Sequence, residues 1–242
     1  MNATVASLTA RSLLGRRRAL LLALLPAILL LLCGAARLVV GVEPDLSVGL
    51  LGGFALGTLV PLLALIAGTG AIGPEIDDGS IVYLLSKPLS RFRIVVSKLV
   101  VAIAVVMVAA AVPTLLAGRL LSGSFGGVAV GYAVGAAVAG MGYCALFLLL
   151  GVLTRNAVVV GLVYALIWES LIGGFVPGAQ VASIQQWALA ITERVIGLSA
   201  ADLGVSSAVS FGAAVPLLVA VVIGCTWYAG LRLQSLRLTG EE

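Results

Sequence analysis

Six separate stretches of this chain run for about twenty residues or more with almost no charge. That is the length a helix needs to cross a hydrocarbon layer ~30 Å thick at roughly 1.5 Å per residue. The stretches cover Ala19 to about Val40, about Leu46 to Ile72, about Ile94 to Ala117, about Gly127 to Leu153, Ala157 to about Phe175, and about Ala208 to Gly230. The whole chain of 242 residues is 62% hydrophobic and only 10% charged, against roughly 25% charged in a soluble domain. A soluble core of this size hides about three quarters of what the chain exposes, so lipid must serve as the remaining solvent. The same figures exclude disorder, collagen and a disulfide scaffold. The expected fold is all-α: a polytopic membrane protein with six transmembrane helices in one transmembrane domain, residues 1–242.

Lysines and arginines set the orientation, because they gather in cytoplasmic segments. With the N-terminus inside, cytoplasmic segments hold Arg11, Arg16, Arg17, Arg18, Lys87, Arg91, Arg93, Lys98, Arg155, Arg232 and Arg237, while Arg37, Arg119 and Arg194 fall outside or near the outer ends of the spans. Both termini are therefore expected in the cytoplasm, residues 1–18 as an arginine-bearing amphipathic segment and 231–242 as a tail. Residues 73–93 form a cytoplasmic loop and 177–207 an extracytoplasmic one. The latter holds two short amphipathic pieces, near Ile184 to Ile196 and Ala200 to Ser206, of the kind that lie in an interface or re-enter partway. The first apolar run resembles a secretory signal but is longer than one, and five more spans follow it.

Several chemistries drop out. There is no histidine, which removes the commonest metal ligand and general base. Cys33, Cys144 and Cys225 sit in three different apolar runs and read as small hydrophobes, with no bridge and no metal site. Gly68-Thr69-Gly70-Ala71-Ile72-Gly73 matches a dinucleotide fingerprint by letters alone, since no strand precedes it. A phosphate-binding P-loop motif is missing from the sequence as well, so no nucleotide cofactor is expected on this chain. The net charge of +4 punctuates apolar runs rather than forming a basic face, which argues for topology and against nucleic acid.

Two features inside the spans stand out. Gly127, Gly131 and Gly135, with Ala139, recur every fourth residue and form a candidate helix-packing stripe, a device Gly53 and Gly57 repeat once. It serves either a subunit interface or packing within one bundle. Glu169 is the only carboxylate deep in a span. Ionised at mid-bilayer it costs at least about 2.5 kcal/mol, so it faces the bundle, a wet cavity or a partner. Gating or a substrate pathway is one reading; a hydrogen-bond partner for a neighbouring helix, with Tyr164 and Trp168 at hand as donors, is the other.

The loop between the second and third spans is the most informative segment. Pro74, Glu75, Asp77 and Asp78 suit a helix start. Ile81, Leu84 and Leu85 then share a face, and Pro88 ends the helix. The product is a short amphipathic rod, acidic first and basic after. Glu75, Gly79-Ser80, Leu84-Leu85-Ser86-Lys87-Pro88, Ser90-Arg91 and Lys98 closely resemble the loop signature of ABC-2-type transporter permeases. In that family a glutamate, a Gly-Thr pair, a Leu-Leu-Ser-x-Pro-x-Ser-Arg stretch and a later lysine recur; Ser80 stands where threonine is usual. The resemblance implies that the rod is a coupling helix seated on an ATPase, with Glu75, Asp78, Gly79, Ile81, Leu84, Leu85, Ser86, Pro88 and Arg91 as coupling residues. It also implies two copies of an ABC-type ATPase subunit holding ATP and Mg, a second permease copy, identical or a related paralogue, and a prokaryotic inner membrane. Export is favoured over import, since no docking domain for an external binding protein is present. The chain itself is then not an enzyme. The competing reading, an ion-gradient-driven secondary transporter or channel, needs ionisable residues or broken helices at the midplane, and Glu169 alone supplies that. A membrane enzyme lacks a catalytic set.

Overall fold

The computed structural model describes residues 3–13, 15–77, 91–172 and 178–235. It is 87% helical, with no strand among the described residues. An N-terminal helix α1 (Ala3–Leu13) is followed, after a break at Gly15, by α2 (Arg16–Val39). Helix α3 occupies 44–77 and α4 Arg91–Ser122, separated by residues 78–90, and α5 is Val128–Leu153. Then come α6 at 157–172, α7 (Ile184–Ile196), the single turn α8 (Ser199–Asp202) and α9 (Phe211–Ser235).

Five of these helices, α2, α3, α4, α5 and α9, are long and apolar enough to cross a membrane. The chain is a multi-pass membrane protein. The expected fifth crossing is α6, a shorter apolar helix over Ala157–Glu169; residues 173–177, where that crossing was expected to end, lie outside the described residues.

Three helices contain π-helical turns: Leu50–Leu59 in α3, Met107–Ala111 in α4 and Tyr164–Ile172 in α6. Two have a cause in the sequence. Pro61 and Pro113 come just after the first two segments. Each lacks an N–H, and its ring crowds the carbonyl four residues back, at Gly57 and Ala109, so a widened turn relieves both problems.

Helix α5 is the centre of the bundle. Of its most apolar stretch 61% is buried, against 22% for α2 and for α9 at the periphery. Small residues are the reason: lipid is as apolar as leucine, so helices associate where backbones come close enough for dispersion and polar contacts. A β-carbon added at Gly140 would lie 2.8 Å from Val106 Cγ1, and one at Gly68 of α3 2.9 Å from Phe147 Cβ. The outer faces of α2 and α9 present Leu20, Leu24, Leu31, Val219, Ile223 and Trp227, as lipid-facing surfaces do.

Candidate functional site

At one end of the bundle, cationic side chains reach across to backbone carbonyls of neighbouring helices. Arg18 Nη1 donates to Gly70 O of α3 at 3.1 Å, and Arg91 Nη1 to Leu233 O of α9 at 2.7 Å. Leu233 O is among the last carbonyls of α9, which lack intrahelical donors and carry the negative end of the dipole, so a cation is stabilised there. Gly70 O lies further from the end of α3 and lacks its intrahelical donor because Pro74, four residues on, has no N–H. Arg91, the first residue of α4 and a sequence candidate, thus lies against α9 at the exit of the 78–90 segment.

Lys98 goes deeper. Its side chain is wholly buried, and its Nζ donates to Ala71 O at 2.6 Å and to Glu75 Oε1 at 2.6 Å. Glu75 is about a quarter exposed, 27%. The pair joins the last turns of α3 to the second turn of α4, immediately before and after residues 78–90. Sequence reasoning placed Lys98 among the positive charges and in the loop signature, but did not pair it with Glu75; the signature's own glutamate and lysine carried that signal. Glu75, expected to open the rod, instead belongs to the last turns of α3, which runs on to Asp77. Asp78, Gly79, Ile81, Leu84, Leu85, Ser86 and Pro88, with the rest of the expected rod, lie outside the described residues.

A second polar cluster sits toward the opposite end. Glu169 is buried, and both its oxygens accept hydrogen bonds. Oε1 takes the Tyr164 hydroxyl at 3.0 Å and the Ile184 N–H at 3.0 Å; Oε2 takes the Ser183 hydroxyl at 2.5 Å and the Gln185 N–H at 3.4 Å. Ser183 is the N-cap of α7, accepting from Gln186 N–H. The carboxylate therefore lies at a helix N-terminus, where orphan N–H groups and the dipole favour negative charge. Of the two donors anticipated, Tyr164 is used; Trp168 Nε1 instead donates to Ala182 O at 3.4 Å. From the same turn, Gln185 Nε2 reaches Gly52 O in the π-helical part of α3 at 3.3 Å. An aromatic stack, Tyr143 on Phe147 and Phe147 edge-on to Tyr164, leads from α5 to this cluster.

The glycine stripe on α5 divides. Gly131 and Gly135 lie against α7, where added β-carbons would run into Ile196 and the Thr192 hydroxyl. Gly127 is not part of that contact: it precedes the helix with φ +49° and has open space where a β-carbon would go. Gly53 also faces open space, whereas Gly57 approaches the Gln185 amide. The piece expected at an interface or re-entering, Ile184–Ile196, is α7 itself, whose Trp187, Ala188, Ile191 and Thr192 are buried in the bundle.

A family model described as ABC-2 family transporter protein matches residues 54–229, from within α3 to within α9, and so takes in Glu75, Lys98 and Glu169. No curated protein matches the chain. Members of this family are membrane transport components that work with ABC ATPase subunits. The match spans well over half of the 242 residues, and the chain belongs to the ABC-2 family of transporter proteins as a membrane permease.

Proposed function

We propose that this permease is the membrane half of an exporter in which residues 75–88 take up the closing motion of a separate ATPase dimer. The observation that carries the reading is the buried bridge between Lys98, Glu75 and Ala71 O. A push delivered to the 78–90 segment meets two helix ends already tied together, so α3 and α4 tilt as one body. That is what a rigid two-state change between inward and outward access requires. Glu75, Asp78, Gly79, Ile81, Leu84, Leu85, Ser86, Pro88 and Arg91 form the contact strip for the ATPase, which holds ATP and Mg. Two permeases, identical or paralogous, pair above two ATPase subunits. Both termini face the cytoplasm of a prokaryotic cell, and α6 completes a sixth crossing of its inner membrane.

The test is stimulation of the partner ATPase by reconstituted permease. Glu75→Gln, Gly79→Val and Leu84→Asp are each expected to insert normally and to abolish stimulation. Undiminished stimulation in all three would defeat the coupling assignment. Cargo movement by the isolated permease on an ion gradient alone would favour the secondary-transporter reading instead.

A further inference from the structure

Between the start of α2, the end of α3 and the α5–α6 corner lies a cavity of about 400 Å³ with two guanidinium groups on its wall, Arg18 and Arg155. Among the described residues no carboxylate lines it. Thr69, Thr154 and Asn156 add polar groups, and Gly73 has open space where a β-carbon would go. The two cations differ in what already holds them. Arg18 is half-buried and fixed by its bond to Gly70 O. Arg155 is exposed and makes no hydrogen bond or ion pair among the described residues.

The wall also includes Ala157, Val158 and Val159, the first residues of α6, and the helix start has no side-chain cap. Its N–H groups add to a field that the guanidiniums already make positive. The lining also includes apolar, exposed side chains, Leu21, Val158 and Val159. A planar guanidinium matches phosphate oxygens in pairs, and basic pockets between spanning helices suit anionic headgroups. The apolar, exposed lining decides between sources of phosphate: a soluble anion has no use for it, whereas acyl chains do.

We propose that this cavity binds the phosphate headgroup of an anionic phospholipid of the leaflet at that end of the bundle, with Arg18 as the fixed contact and Arg155 as the closing one. The site is independent of the coupling role proposed for residues 75–88.

The experiment uses the full-length protein in nanodiscs of phosphatidylcholine containing phosphatidylglycerol, followed by mild extraction and native mass spectrometry of retained lipid. Phosphatidylglycerol is expected to be retained preferentially. Arg155→Gln, at an exposed position, should reduce that preference about fivefold, the scale of one cation near an anionic surface. Arg194→Gln, an exposed arginine at the other end of the bundle, should leave it unchanged. Equal retention of both lipids by the unmodified protein would overturn the proposal, as would equal effects of the two substitutions. Displacement of the retained lipid by millimolar inorganic phosphate would also overturn it, in favour of a soluble anion.

Discussion

Lys98 keeps its ammonium where solvent does not reach, and only Ala71 O and Glu75 compensate it within the contacts described. Removing one member of a buried pair strands the other, so Lys98→Met is expected to lower unfolding stability in detergent by about 3 kcal/mol. Replacing both, as Lys98→Met with Glu75→Gln, should recover part of that loss. A double-mutant cycle reads the coupling directly: an interaction energy under about 0.5 kcal/mol would mean the two residues act independently. Glu169 invites a different expectation. In Glu169→Gln an amide donor is turned toward backbone N–H groups that already point inward, and the helix loses its anionic partner. The expected cost is about 1–3 kcal/mol, seen as a lower melting temperature with Glu169→Ala lower still. Lost transport at unchanged melting temperature would instead speak for gating. That this residue needed partners was legible from one carboxylate in an apolar run. Which partners was not, because Ser183 and Ile184 lie more than a dozen residues on and only folding brings α7 beneath the carboxylate.

The elements follow from spacing and from small residues. Alternation between α and π turns in α3 and α4 tracks Pro61 and Pro113, so those irregularities were written in the sequence; the π turns of α6, Tyr164–Ile172, have no proline within them. Helix α7 is short and amphipathic, and on sequence alone it reads as an interfacial piece. The structure buries its apolar face against α5 because Gly131 and Gly135 leave room for Thr192 and Ile196. Gly135→Val is therefore expected to destabilise the protein by about 1–3 kcal/mol through overpacking. Gly53→Ala, at a position facing open space, should change stability by less than about 0.5 kcal/mol. Thermal unfolding of the two variants side by side checks both. A stripe of glycines at four-residue intervals thus separates into residues that meet a neighbour and a residue, Gly127, that turns the chain.

At the scale of the molecule, polar contacts gather at the two ends and the apolar middle is held by close helix approach. The cationic end joins α2 to α3, α3 to α4 and α4 to α9 through Arg18, Lys98 and Arg91. The opposite end joins α6, α7 and α3 through Glu169 and Gln185. If the cationic end is cytoplasmic, single cysteines placed at Arg155 and at Leu198, which is 99% exposed, should label from opposite sides. With Cys33, Cys144 and Cys225 replaced, a membrane-impermeant maleimide on intact cells is expected to modify Leu198→Cys, and Arg155→Cys only after permeabilisation. Labelling of both from outside would reverse the orientation.

Hydrophobic length and charge placement are one-dimensional properties, and they settled on their own that the chain is an all-α membrane protein; its ABC-2 type was legible separately, in the short loop signature from Glu75 to Lys98. They respond to lipid and water, which act on each segment separately. The pairing of Glu75 with Lys98, the capping of α7 by Glu169 and the cavity beside Arg155 depend instead on which helix packs against α5. That choice is made by distances of a few ångströms between residues far apart in the chain, and only the folded bundle decides it.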